Sequence, residues 1–167
     1  DIGRKLPHLT FLDGQLSCTP PLLMEIPLPV MFDVIPDHWC RGAVVAAVAA
    51  AAAEIGTLAV LRDRDIQPGF VLDRTRVVPL LETPGATSSQ SRVGPPLVMI
   101  SDAPDVLALQ AAVKQKRSEP IVAIRVPATP TAARRIVELT LGGAEVIHLL
   151  FDMHGREQSS AEPRHAR

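Results

Sequence analysis

The length, composition and charge of the chain limit what it can be. Its 167 residues are the length of one domain with a sizeable core, and 47% of them are hydrophobic. A formal net charge of −1 provides no long-range field that would attract phosphate backbones, and no basic block is interleaved with aromatic residues. We therefore expect no nucleic acid among the partners of this protein.

The cysteines and histidines predict neither a metal site nor an exported protein. Cys18 and Cys40 could form a disulfide, but they follow no metal-ligand spacing, and we interpret them as reduced thiols of a cytoplasmic protein. The histidines also lack ligand spacing on one element, so we expect no metal. The N-terminal stretch DIGRKLPHLTFLDGQ has no apolar core of the kind that a signal peptide requires.

Six short aliphatic runs, each bounded by glycine, proline or charge, predict strands. None of them alternates with polar residues, and such continuous runs are typical of strands covered on both faces, as in a parallel sheet. The predicted strands are residues 28–34, 57–61, 77–81, 97–100, 121–126 and 146–151.

Three helix-length segments lie between these strands, at residues 41–55, 103–116 and 131–141. The first contains the apolar run AVVAAVAAAAAEIGTLAVL, but alanine contributes little transfer energy and Gly56 interrupts the run. We therefore interpret this run as a buried helix and a buried strand, with no membrane partner. The order β-α-β-β-β-α-β-α-β predicts an α/β fold with a mainly parallel sheet and right-handed crossovers.

The chain divides into a lead-in segment (1–27), a strand-and-helix domain (28–157) and a polar tail (158–167) that we expect to be mobile. The connector at 83–96 is rich in glycine, proline and serine, which indicates either disorder or a functional loop. The sequence contains no GxGxxG or GxxxxGK[ST] phosphate loop, and no nucleophile elbow surrounds its serines.

Polar residues follow the predicted strands at the point where each one ends. Because the carboxyl ends of parallel strands meet at one edge, we expect these residues to form a rim at which a ligand could bind. For most of them an ordinary polar strand stop is the alternative. The rim residues are Asp33, Arg62, Asp63, Glu82, Ser101, Asp102, Arg125, Asp152 and His154.

Arg125 and the stretch DMHGRE at 152–157 differ from ordinary strand stops. Arg125 has apolar neighbours on both sides in IVAIRVPATP, and a buried guanidinium is costly unless it meets an anion. We predict that DMHGRE is a rim loop that serves a cofactor or substrate, with a solvated turn as the alternative. His148 lies inside a predicted strand, where a hydrogen-bonded core histidine is the favoured interpretation.

The order of segments resembles the FMN-binding (β/α)8-barrel domain of glutamate synthase and glutamate-synthase-like proteins. LPHLTFLDGQLSCTPPLL is similar to the lead-in of that family, and IPLPVMFDVI to its first barrel strand. VVPLLETPGA stands where the family has a strand followed by a Lys-x-x-Gln-Gly-Ala loop. ISDAPDVLALQAAVKQKRSEPIVAIRVPAT resembles a helix and a lysine-bearing strand, and GGAEVIHLLFDMHGRE the strand before a Gly-Gly-Thr-Gly loop.

The departures from that pattern concern the flavin site. The loop lysine is replaced by Leu81 and Glu82, and Arg125 stands where the family strand carries lysine. Of the Gly-Gly-Thr-Gly loop only Gly155 aligns, between His154 and Arg156. The iron–sulfur cysteines are missing, so the resemblance implies no iron–sulfur cluster in this chain.

The resemblance implies the N-terminal half of a TIM-type barrel, because a full barrel takes about 250 residues. It further implies a fragment or subunit of a glutamate-synthase-like, FMN-dependent oxidoreductase of glutamate metabolism, completed by the remainder of the barrel in the same protein or another chain. It names no catalytic residue. The residues that it implies for FMN binding are Asp33, Glu82, Arg125, Asp152, His154, Gly155 and Arg156.

Two alternatives stay open. The chain could be a non-catalytic barrel half that docks on a partner during assembly, which the missing loop lysine favours. It could also be an unrelated α/β domain that binds a small anion at the rim of the sheet. A half barrel would expose strand edges and apolar surface, so we expect the isolated chain to self-associate.

Overall fold

The computed structural model of this chain describes residues 2–3, 11–16, 23–24, 26–66, 73, 75–82, 97–116 and 120–158. The predicted connector at 83–96 and residues 159–167 of the predicted tail lie outside these residues.

Two small antiparallel strand pairs form in the lead-in segment, where we predicted no strand. β1 (Ile2–Gly3) pairs with β4 (Leu23–Met24), and β2 (Phe11–Leu12) pairs with β3 (Gln15–Leu16). Asp13 and Gly14 connect β2 to β3 with φ angles of 52° and 76°. Two consecutive positive φ angles are typical of the two-residue hairpin turns that Asp-Gly favours. The Asp13-Gly14 dipeptide could therefore have predicted this hairpin from the sequence.

In the described part of the chain, five parallel strands form the main sheet, in the order in which they occur in the sequence. They are β5 (Ala59–Arg62), β6 (Val77–Leu81), β7 (Leu97–Ser101), β8 (Ile121–Pro127) and β9 (Val146–Leu150). Every neighbouring pair is parallel. The prediction of an α/β fold with a parallel sheet is therefore confirmed.

The predicted strand at residues 28–34 is wrong. Within it, Phe32 alone makes a bridge, parallel to Ala59: the Phe32 N–H donates to the Leu58 carbonyl at 2.9 Å, and the Phe32 carbonyl accepts from the Val60 N–H at 2.9 Å. Pro29 has no N–H to donate to a ladder, which prevents a continuous strand here. The segment is held instead by the buried hydroxyl of Thr57, which donates to the Val30 carbonyl.

Among the described residues, three α-helices precede strands of the sheet, each within three residues of the predicted bounds. α1 (Gly42–Ile55) precedes β5, α2 (Val106–Lys116) precedes β8, and α3 (Ala132–Leu141) precedes β9. A short 3-10 helix, Asp63–Asp65, follows β5. Among the described residues, no helix combines the length and apolar character needed to cross a membrane.

All three helices lie on the same face of the main sheet. Val45 and Ala49 of α1 pack on Leu61 and Val77, and the side chains of α2 and α3 pack in a cluster that includes Leu81. Val77 and Leu81 are four residues apart on β6, so they point to the same side of the sheet. The helix-covered face thus holds two clusters of the core, one under α1 and one under α2 and α3.

The opposite face, which carries no helix among the described residues, is called the helix-free face below. Its apolar side chains pack against Met24, Ile26, Met31 and Val34 from the segments that precede α1. Alternation along β8 directs Ile121, Ala123 and Arg125 to this face, because Val122, Ile124 and Val126 belong to the core under the helices. Arg62 and Arg125 lie on this face at or near the carboxyl ends of β5 and β8, and His148 lies on it in the middle of β9.

Candidate functional site

A cavity of about 350 Å³ opens at the carboxyl end of the main sheet. Each strand of the main sheet contributes at least one residue of its carboxyl-terminal half to the wall. Asp33, which follows Phe32, also lines the cavity. Apolar side chains such as Leu80, Leu150 and Phe151 form part of the wall. The charged residues of the wall are Asp33, Arg62, Glu82, Asp102 and Arg125.

Arg125 is the most buried charged residue of this wall, with 6% of its surface exposed. Its Nη2 donates to Asp33 Oδ2 at 2.8 Å, and the Asp33 side chain is 48% exposed. The anion that the buried guanidinium requires is therefore Asp33. Among the described residues, Arg125 Nε is buried and has no hydrogen-bond partner, so a donor of the cavity wall is unused.

Arg62, at the end of β5, is held by carboxylates around it. Arg62 Nη1 lies 2.9 Å from Asp37 Oδ1 and donates to the Ile35 carbonyl at 3.1 Å. Arg62 Nε lies 3.3 Å from Glu82 Oε1, at ion-pair distance but without hydrogen-bonding geometry. Glu82 Oε2 is 3.2 Å from Arg64 Nη1, so Glu82 joins two arginines.

Asp102 is fixed by Arg135 of α3, a pairing that we did not predict. Arg135 Nε lies 3.1 Å from both oxygens of Asp102, and Arg135 Nη2 lies 2.6 Å from Oδ1. Arg135 Nη2 also donates to the Ala103 carbonyl at 2.9 Å. The hydrogen bonds to Asp102 raise the pKa of Arg135. An arginine on an amphipathic helix is ordinarily solvent-facing, so the sequence pattern did not distinguish Arg135 from Arg134.

His148 lies beside Arg125. The two residues are partners in the register of β8 and β9, and His148 follows Val146 by two residues on the helix-free face. Its Nδ1 is buried and has no partner in the described part of the chain. Burial lowers the pKa of His148, Arg125 lowers it further, and Asp33 opposes the shift. The hydrogen bond expected for a core histidine is thus not observed at this atom.

The residues of DMHGRE form a turn that satisfies its own hydrogen bonds. Asp152 Oδ1 accepts from the backbone N–H groups of His154 and Arg156, each at 2.8 Å, and the Asp152 N–H donates to the Arg156 carbonyl at 3.0 Å. The backbone N–H of Arg156 lowers the pKa of Asp152, with a smaller contribution from that of His154. Gly155 has φ 70°, which suits glycine.

The seven residues expected to bind FMN fall into two groups. Asp33, Glu82 and Arg125 line the cavity together. The other four belong to the turn after β9, at the same end of the sheet, and are not among the described residues that line the cavity: Asp152, His154, Gly155 and Arg156. The Asp152 side chain bonds within the turn, and the role of these four residues in cofactor binding stays a prediction.

The charges of the cavity are balanced. Among the described residues, each arginine that lines the wall is paired with a carboxylate, Arg125 with Asp33 and Arg62 with Asp37 and Glu82. Such a wall disfavours a phosphate, because a phosphate would have to displace a carboxylate from its arginine. No group of three or more metal-binding side chains occurs in the described ranges.

No protein-family model, no curated protein and no solved structure matches this chain. Its function is therefore inferred from the geometry of the site itself.

Proposed function

We propose that this chain supplies part of an FMN-binding (β/α) barrel of an oxidoreductase similar to glutamate synthase, with Arg125 as the cation that faces the flavin ring. The observation that carries the proposal is the buried guanidinium of Arg125 in the wall of the cavity, with Nε unused. A buried donor without a partner is costly to keep unless a ligand completes it.

The order of strands and helices supports a barrel. Consecutive parallel strands with all helices on one face are the arrangement of a (β/α) barrel, whereas a doubly wound sheet carries helices on both faces. Active sites of such barrels lie at the carboxyl ends of the strands, where this cavity opens.

The outer edge of β9 supports a partner that extends the sheet. This edge has no partner strand among the described residues, and the side chains of β9 are half-buried or exposed whereas those of β8 up to Val126 are buried. We therefore propose that further strands, from the same protein or another chain, pair with β9 and complete the barrel.

The residues of the cavity fit a flavin ring. A volume of about 350 Å³ lies within the range of small-molecule sites, and apolar side chains such as Leu80 and Leu150 would contact the ring. When bound, FMN supplies electron or hydride transfer. Arg125 would donate a hydrogen bond to the edge of the ring and provide positive charge there, and Asp33 would hold Arg125 in place. Because the arginines of the wall are paired, we assign the ring to this cavity and not the phosphate.

Titration of riboflavin and FMN tests this function. We expect the protein to quench the fluorescence of both flavins with similar affinity, because the cavity would hold the ring, and we expect inorganic phosphate not to compete. Arg125→Lys should weaken binding about tenfold, since lysine lacks the planar donors of the guanidinium. Arg134→Lys, an 85% exposed position on α3, is the matched control and should have no effect. Absence of flavin binding would exclude the proposal.

A non-catalytic assembly subunit is the second candidate, and Glu82 favours it. This carboxylate stands where the resemblance has the loop lysine, and it is ion-paired with Arg62 and Arg64. A colourless protein that forms a stable oligomer and does not quench riboflavin would support this candidate over the flavoprotein.

A further inference from the structure

Two neighbouring residues of the helix-free face, one on β8 and one on β9, each carry an unused nitrogen atom. Arg125 Nε and His148 Nδ1 are both buried and, in the described part of the chain, both lack a hydrogen-bond partner. Their residues are register partners on β8 and β9, and their side chains point to the same side of the sheet. An acceptor placed between the two side chains would satisfy both nitrogens at once.

The cavity gives a ligand a route to this pair. Arg125 lines the cavity, and so does Leu150, which follows His148 by two residues and therefore points to the same side of β9. His148 is not among the described residues that line the cavity, so a ligand held by Arg125 would have to extend beside Leu150 to reach the imidazole.

Charge determines which ligand can bind there. Arg125 and Asp33 together are neutral, so a carboxylate that binds beside them would bring one uncompensated negative charge into a largely buried place. Protonation of His148 would remove that excess charge and would turn the imidazole into a charged donor. We propose that Arg125 and His148 form a site for a small carboxylate, which binds together with one proton that His148 takes up. This site goes beyond the proposed flavin function and does not depend on it, and because both use the Arg125 guanidinium, a carboxylate and a flavin ring would compete for it.

Few other charged groups act on His148. Arg125 of β8 and Asp33 of the segment after Phe32 are the charges that influence it. Glu145, which precedes β9, lies at the other end of the sheet, where it accepts from the Val122 N–H at 2.9 Å and pairs with Lys114 at 2.9 Å. Proton uptake on ligand binding is therefore assigned to His148.

Acetate titration followed by NMR of the histidine ring protons tests the site. We expect saturable shifts of the His148 signals, and we expect the acetate Kd to increase about tenfold from about pH 6.5 to about pH 7.5, as the uptake of one proton requires. Acetamide, a neutral molecule of the same shape, should cause no saturable shift. The exposed ring of His154 serves as the internal reference.

Two variants separate proton coupling from simple anion binding. Asp33→Asn removes the charge that compensates Arg125, so acetate should bind without a proton, with a Kd that is independent of pH and lower than that of the wild type at about pH 7.5. His148→Gln keeps a polar side chain but cannot take up a proton, so acetate binding should be weaker at about pH 6.5 and independent of pH. His154→Gln is the matched control and should behave as the wild type.

Three results would overturn this site: acetate binding to the wild type that does not change with pH, an equal response to acetamide, or unchanged pH dependence in Asp33→Asn. All of these titrations are made in the absence of flavin. A protein that fails to bind riboflavin but binds acetate with a proton would therefore retain this site, and the reverse result would retain the flavin function alone.

Discussion

Arg125 and Asp33 lie 92 positions apart in the chain, yet Nη2 of the arginine donates to Oδ2 of the aspartate at 2.8 Å. The ion pair joins β8, the fourth strand in the order of the main sheet, to the segment that follows Phe32. Arg125 is buried and Asp33 is half-exposed. The ion pair therefore holds the long arginine side chain in one position at the wall of the cavity.

Loss of the Asp33 charge should destabilise the protein. In Asp33→Asn the buried guanidinium of Arg125 keeps its positive charge without a compensating carboxylate, and we expect the free energy of unfolding to fall by about 1–2 kcal/mol. Urea denaturation at neutral pH measures this change. Arg134→Lys, which alters an exposed ion pair with Glu138 on α3, should change the stability by less than about 0.5 kcal/mol. Equal effects of the two substitutions would contradict the role of Asp33.

Arg135→Lys should be more harmful than Arg134→Lys, although the two arginines are adjacent on α3. Both arginines lie at ion-pair distance from Glu138, but Arg135 is 30% exposed and also contacts both oxygens of Asp102 and the Ala103 carbonyl, whereas Arg134 is 85% exposed. A lysine cannot reproduce the bidentate contact with Asp102. We therefore expect Arg135→Lys to lower the free energy of unfolding by about 1–2 kcal/mol. The corresponding fall in Tm is about 2–8 °C, measurable by calorimetry, with Arg134→Lys unchanged within error.

His148 should make the stability depend on pH below neutrality. The pKa of this histidine is lowered from its ordinary value of 6.5, so the unfolded chain binds a proton more readily than the folded protein does. The stabilisation is fully present above about pH 6.5 and is lost as the pH falls from there toward the lower pKa of the folded state. Urea denaturation at several pH values should show this decline, and His148→Gln should reduce it. A decline of the same size in His148→Gln, or its loss in His154→Gln, would refute the assignment.

Uncovered apolar surface should make the isolated chain associate. Leu141 and Met153 are highly exposed, and the outer edge of β9 has no partner strand in the described ranges. We expect the protein to bind a hydrophobic dye and to sediment as more than a monomer at high concentration. A compact monomer that binds no dye would show that other residues of the chain cover these surfaces.

The main sheet could be predicted because its strands are continuous apolar runs. Buried residues such as Val122 and Ile124 occur on both sides of Ala123, which is the pattern of a strand covered on both faces. The run at 28–34 contains similar residues, but the prolines at positions 27 and 29 limit its backbone hydrogen bonds, and apolarity alone overestimated it.

The candidate site could be predicted only in part. The burial of Arg125 follows from its apolar neighbours, and parallel strands bring Asp33 and Glu82 to the same edge. The pairing of Asp102 with Arg135 depends on how α3 packs against the end of β7, and no periodic pattern encodes it. The Asp152 side chain accepts a hydrogen bond from the backbone N–H of Arg156. The polar residues around it in the sequence are equally compatible with such a local bond and with a ligand contact.

The order of the main sheet has a consequence for how the protein reaches its native state. Each of its strands pairs with the strand that follows it in the sequence, so the sheet can grow by adding one neighbour at a time, with short chain closures. The link between Asp33 and Arg125 is a contact of high sequence separation and should form after the strands between them. Substitutions of Asp33 should therefore accelerate unfolding while leaving the folding rate nearly unchanged. The ion pair would then stabilise the sheet only after its strands have assembled.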